Sequence, residues 1–146
     1  MKDLVSNKKA YHNYEILDSF EAGMVLLGSE IKSLRNHGGS IQDAYVDIKN
    51  YELWLMNSSI APYKFSKGYT HEDRRKRKLL MHRREIFKLK KQITEKGVSL
   101  IPLSIYLKAG RAKIKIAIAK GKKAYDKRAK LKEKDQRKEI QKAIKH

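Results

Sequence analysis

The sequence predicts a mainly β protein with interspersed helices, a small closed barrel that carries a basic tail. Three observations predict it. Short segments alternate apolar and polar residues between turn signals. Two further stretches space their apolar residues at helical intervals. Beyond residue 121 the apolar residues thin out and glycine and proline disappear. A chain of 146 residues has room for one domain and an appendage. The expected division is a body over residues 1–121 and a tail over residues 122–146.

Asn7-Lys8-Lys9-Ala10-Tyr11-His12-Asn13 is a polar, basic lead-in. Residues 14–27 are rich in β-favouring side chains, among them Tyr14, Ile16, Phe20 and Val25, and Gly23 suggests a bulge or bend within that strand. Ser29 is placed to cap a short helix over residues 30–35, with Ile31 and Leu34 one turn apart and Gly38-Gly39 as its stop. A hairpin follows. Ala44, Val46 and Ile48 alternate with polar neighbours, Leu53 and Leu55 do the same, and the turn falls at Lys49-Asn50-Tyr51-Glu52.

Residues 64–78 are polar and basic and read as a mobile loop ending in five consecutive cations, Arg74 to Lys78. Leu79-Leu80-Met81 re-enters the core. A helix is expected from about His82 to Lys96, stopped by Gly97. Ile86, Leu89 and Ile93 share its apolar face and Arg84, Lys88 and Lys91 the opposite one. The last two strands alternate Ile101, Leu103, Ile105 and Leu107, then Ile114, Ile116 and Ile118, about a turn at residues 108–111. Pro102 marks a free edge or a bulge. The count is five or six strands with two helices between them. The tail is rich in Ala, Lys, Glu, Gln and Arg but short of apolar anchors. It is expected to be disordered when free and helical against an anionic surface.

Charge points to the partner. The net charge is +19. Residues 120–146 hold twelve Lys/Arg against four Asp/Glu, and +11 remains on residues 1–119. Each part is a footprint for a polyanion. With no cysteine there is no disulfide, no thiolate zinc site and no Cys nucleophile. No apolar run has the length of a membrane span, so a cytoplasmic protein is expected. No phosphate-binding glycine loop is present, and the five histidines lack metal-ligand spacing. No catalytic residue, cofactor or metal is therefore expected. Lys8, Lys9, Lys32, Arg35, Arg75, Arg77 and Lys78 are candidates for phosphate contact. Trp54 either packs under a helix or stacks a base. Tyr125, in a segment with little to pack against, suits base stacking. Glu30 runs against the charge trend: it is either a helix-dipole partner or an acceptor for base amino groups.

Several longer motifs then occur in fixed order. They are Asn7-Lys8-Lys9-Ala10, Phe20-Glu21-Ala22-Gly23, Gly28-Ser29-Glu30-Ile31-Lys32-Ser33-Leu34-Arg35, Ile60-Ala61-Pro62-Tyr63, Arg77-Lys78-Leu79-Leu80-Met81-His82, Gly97-Val98-Ser99-Leu100-Ile101-Pro102-Leu103 and Gly121-Lys122-Lys123-Ala124-Tyr125-Asp126-Lys127-Arg128. On these the chain resembles the small protein B family, the transfer-messenger RNA (tmRNA, SsrA) binding proteins, over nearly its whole length. The resemblance implies a closed six-stranded, OB-like Greek-key barrel with about three helices. It implies a monomeric, non-enzymatic adaptor. This would carry the tRNA-like domain of tmRNA, with elongation factor Tu, to stalled ribosomes. The tail would enter the empty decoding centre of 16S rRNA and become helical in the message channel. Carried over by motif, Asn7, Lys8, Lys9 and Glu30 fall to RNA binding by the body. Lys122, Lys123, Tyr125, Asp126, Lys127 and Arg128 fall to the tail's work in the decoding centre. Ser29 replaces the commoner Thr, Ser59 stands where many members have His, Asn50-Tyr51 replaces an Asn-Gly-like turn, and the tail lacks a Trp found in some relatives. The rival reading is a constitutive ribosomal RNA-binding protein with an OB-like barrel, which would stay on the particle through a high-salt wash.

Overall fold

The computed structural model describes residues 3–63 and 71–122. The expected helical tail, Tyr125 and the basic residues around it fall outside the described residues. The elements run β1 (Asp3–Ser6), α1 (Ala10–Asn13), β2 (Tyr14–Met24), α2 (Gly28–Arg35), β3 (Gly39–Ser40), β4 (Tyr45–Lys49), β5 (Glu52–Met56), β6 (Ser59–Ile60), β7 (Arg77–Leu80), α3 (Arg83–Lys96), β8 (Ser99–Lys108) and β9 (Arg111–Gly121). The protein is mainly β with three helices. The strand order is β1-β8-β4-β5-β7-β2-β9, and an additional β8–β9 pairing joins the end of that order back to β8. Six strands thus form a ring, all neighbours antiparallel, with β1 added outside β8. The ring is uneven. β2 pairs with β9 along almost its full length, but β4 meets β8 at one residue pair, Val46 with Leu100, and β2 meets β7 at two.

The ring interior is filled by one side of each strand, including Leu53, Leu55, Leu79, Ile105, Ile114 and Ile116, and Ile86 and Leu89 of α3 complete it. A second cluster of Ala10, Ile101, Leu103, Ala117 and Ala119 packs α1 against the outer side of β8 and β9. The two clusters explain a departure from the expected alternation. The β8–β9 register slips between Pro102 and Ser104, where the bulge expected beside Pro102 occurs. An extra residue reverses the facing of those that follow. Ile101 and Leu103 therefore face outward onto α1, while Ile105 faces the ring interior.

In β2 the irregularity lies between Ile16 and Asp18, not at Gly23. Gly23 answers a packing need instead: a Cβ there would lie 3.2 Å from the Cβ of Leu80 on β7, at the narrow β2–β7 pairing. The β4–β5 turn falls where expected. Lys49 pairs with Glu52, and Asn50 and Tyr51 both have positive φ, 53° and 60°. That is the backbone of a two-residue hairpin whose twist matches the strands it joins. α3 ends at Gly97, whose φ of 60° makes the left-handed stop.

Candidate nucleic-acid interface

Two constellations of polar side chains stand out, and they differ in kind. The first is built on Glu30. α2 starts two residues earlier than expected, with Leu27 as its N-cap. Glu30 is then the third helical residue, and its Oε1 accepts the Leu27 N–H at 2.8 Å, one half of a capping box. Ser29, expected to cap, is engaged elsewhere: its hydroxyl meets Nδ1 of His71 at 2.8 Å. Since a carbonyl only accepts, Nε2 of His71 donates to Ile60 O, also at 2.8 Å. Glu30 is fully buried. Its carboxylate accepts from Arg75 Nη2 at 2.5 Å and Nε at 2.9 Å, and from Arg77 Nε at 2.6 Å.

Arg77 is fully buried as well. It donates to Ser58 Oγ, to Arg75 O and to Asp73 O at 2.9, 3.0 and 3.0 Å. The cluster ties α2, the β5–β6 connection and residues 71–77 together. Burial alone pushes the Glu30 carboxyl up, but the hydrogen bonds from Arg75, Leu27 and Arg77 outweigh it and hold the group below its usual range. Burial pulls the Arg77 guanidinium down, against the opposing pull of Glu30.

This corrects three expectations. Residues 71–76 form no helix or strand but are anchored at both ends, since His71 and Arg77 are buried, and residues 77–78 are the start of β7. Arg77 has no surface to offer a phosphate. Glu30 has no exposed oxygen to offer a base, both being taken by Leu27, Arg75 and Arg77, whereas Arg75 remains partly exposed.

The second constellation is an open cleft of about 680 Å³, lined among others by Asn7, Lys8, Tyr11, Glu21, Tyr106 and Lys115. β1, α1, β2, β8 and β9 meet there. Asn7 is buried. Its Nδ2 donates to Pro102 O at 3.0 Å and Ile41 O at 3.3 Å. Two carbonyl partners fix that atom as nitrogen, so the other is Oδ1. It is buried without a hydrogen-bond partner among the described residues. A buried acceptor left unpaired is costly unless an enclosed water donates to it.

Glu21 Oε2 accepts from the Tyr106 hydroxyl at 2.5 Å, and Oε1 lies 3.6 Å from Lys108 Nζ. The Tyr106 hydroxyl is the main reason that the Glu21 carboxyl lies below its usual range, with Lys108 adding to it. Burial, then the bond to Glu21, pushes the Tyr106 phenol up to about 12. At neutral pH the cleft therefore holds an ionised carboxylate fixed by a protonated phenol, an acceptor of set direction. Tyr11, 60% exposed, lines the cleft together with Lys8 and Lys115. Oriented acceptors read base amino and imino groups, an exposed ring stacks, and lysines meet phosphates.

The remaining expected residues scatter. Lys8, Lys9, Lys32 and Arg35 are exposed, and the Lys32 ammonium lies 5.7 Å from the Tyr63 ring. Lys78 pairs with Glu52 at 3.0 Å on the surface. Trp54 carries the Lys76 ammonium over its ring at 4.6 Å. Lys122 is still fastened to the body, its N–H donating to Asn13 O at 3.0 Å. Glu21 and Tyr106 were missed. Glu21 stood in a quoted motif, and the available signal was an acidic residue amid basic strands. Among the described residues no His, Asp and Glu group stands close enough to hold a metal ion. No helix among them is long and apolar enough to cross a membrane.

A basic ring of strands with an open cleft that presents a fixed carboxylate, an aromatic ring and lysines is a nucleic-acid-binding module. The family model described as SmpB protein matches residues 4–146. An SsrA-binding protein of Protochlamydia amoebophila (strain UWE25) is 59% identical over 98% of this chain and 94% of its own length. One from Chlamydia caviae is 53% identical over 99% and 96%. A solved structure described as "tmRNA-SmpB: a journey to the center of the bacterial ribosome" contains a chain 42% identical. It superposes with a TM-score of 0.68 over 84% of this chain and 86% of that one. The chain belongs to the SmpB family.

Proposed function

We propose that this protein is a tmRNA-binding adaptor of trans-translation. The observation that carries the reading is the cleft, where the clamped Glu21 carboxylate shares the lining with Tyr11, Lys8 and Lys115. The relatives' name, SsrA-binding protein, supplies the identity of the RNA. In this reading the body, residues 1–121, is a closed OB-like Greek-key barrel. It grips the tRNA-like domain of tmRNA through the cleft, and Lys9, Lys32, Arg35, Arg75 and Lys78 add phosphate contacts. Glu30 and Arg77 build the scaffold behind Arg75. The tail, residues 122–146, enters the empty decoding centre and message channel and becomes helical there, with Lys122, Lys123, Asp126, Lys127 and Arg128 on ribosomal RNA and Tyr125 stacked on a base. The protein acts as a monomer in the cytoplasm, travels with elongation factor Tu and performs no chemistry: phosphate contacts supply affinity and the cleft supplies recognition.

A chain cut after Lys122 keeps all of β9 and its tether to Asn13. It should bind the tRNA-like domain within about tenfold of the full chain, about 1.4 kcal/mol, and support no peptide tagging. Tagging by the shortened chain would overturn the division of labour.

A further inference from the structure

We propose that the body carries a second RNA-contact face, at the β4–β5 turn and the outer side of α3, that takes an unpaired base with its flanking phosphates. The proposed function gives this surface no role beyond a phosphate contact at Lys78, on its edge. Tyr51 sits at the second turn position with φ of 60°, a conformation that a bulky side chain adopts only at a cost and that glycine serves best. The turn therefore sacrifices stability to hold a large ring at its tip, where it is partly exposed. Phe87 is 57% exposed on α3, outside both apolar clusters. Neither ring belongs to an apolar cluster, yet they meet: their centroids are 6.2 Å apart with planes 17° from parallel.

Cations surround the pair. The Arg83 guanidinium lies 5.4 Å and the Lys90 ammonium 4.8 Å from the centre of the Tyr51 ring, and Arg84, Lys88 and Lys91 are exposed along the same helix. Beside Tyr51 runs a groove of about 400 Å³, walled also by Lys78, Leu80, Met81, Arg83 and Ile86. The nearby acids are few: Glu52, already paired with Lys78, and Glu85. Flat rings, a groove beside them and a basic surround match the three parts of an unstacked nucleotide. A peptide helix would ask for aliphatic ridges in place of stacked rings. The face lies on the β4–β5–β7 arc of the ring, whereas the cleft lies on the β2–β9–β8 arc, so two RNA segments can be held at once.

The test uses the full chain and a single-stranded RNA octamer with one central 2-aminopurine, whose fluorescence is quenched on stacking. Tyr51→Asn tolerates the left-handed turn and Phe87→Leu keeps the helix apolar, so melting temperatures confirm that the double variant folds. The double variant is expected to abolish quenching and weaken octamer affinity about tenfold, with affinity for the tRNA-like domain kept within about twofold. Tyr125→Ala should leave the quenching in place, and Phe87→Trp should retain it. Undiminished quenching in the double variant overturns the proposal. So does loss on Tyr125→Ala, which would place the stacking in the tail. An equal loss of tRNA-like domain binding would fold this face into the first site. Failure of the wild-type chain to bind the tRNA-like domain would count against the proposed function instead.

Discussion

The Glu30 cluster and the Asn7–Glu21 cleft each hold a carboxylate amid basic residues, and they do opposite work. Around Glu30 both carboxylate oxygens are taken, and Glu30 and Arg77 are sealed from water. Around Glu21 the partners are fewer, the Tyr106 hydroxyl and the Lys108 ammonium, and the cleft is open. A charge that has spent its hydrogen bonds builds the fold. One that retains capacity toward solvent can recognise a ligand. Residue type does not separate the two cases; burial and the count of unspent bonds do.

Mutation should separate them in that order. Glu30→Gln leaves Arg77 buried without its counter-charge and should lower folding stability by about 3–5 kcal/mol, read by denaturant unfolding. A loss below about 1 kcal/mol would mean that the cluster is not structural. Acid should act through the same group. The Glu30 carboxyl is held below its usual range in the fold. Its stabilising contribution is therefore present above the unfolded value, about 4.3, and is lost as pH falls through the lowered one. Wild-type stability should decline across that acid window, while Glu30→Gln shows a flatter profile. Glu21→Gln should do the reverse of Glu30→Gln: tRNA-like domain affinity should fall by about 1–3 kcal/mol with little change in unfolding. The smallest effect belongs to Lys8→Ala, which should reduce the slope of log affinity against log salt by about one and leave discrimination among RNAs intact.

Much of the fold was legible in the sequence because it rests on local rules. The hairpin turn at Asn50-Tyr51, the glycine stop of α3 and the bulge beside Pro102 each follow from neighbouring residues. What was not legible depends on distant partners. Residues 71–77 looked like solvated loop because their charges were in view while the distant acceptors that bury Arg77, the Glu30 carboxylate and the Ser58 hydroxyl, were not. The reversed facing of Ile101 and Leu103 required α1 to supply a second packing surface. The cleft was read in half. Asn7, Lys8 and Lys9 were picked out as basic lead-in and motif, whereas Glu21 and Tyr106 are 85 positions apart and become one acceptor only when β2 and β8 come together across β9.

The most direct test of this contrast is the set of backbone amide shifts when the full chain is titrated with the tRNA-like domain. The account predicts that amides of residues 6–11, 19–21, 104–106 and 115 move most and that those of residues 28–31 and 71–77 stay nearly still. Large shifts around Glu30 and Arg77, with none around Asn7 and Glu21, would contradict it.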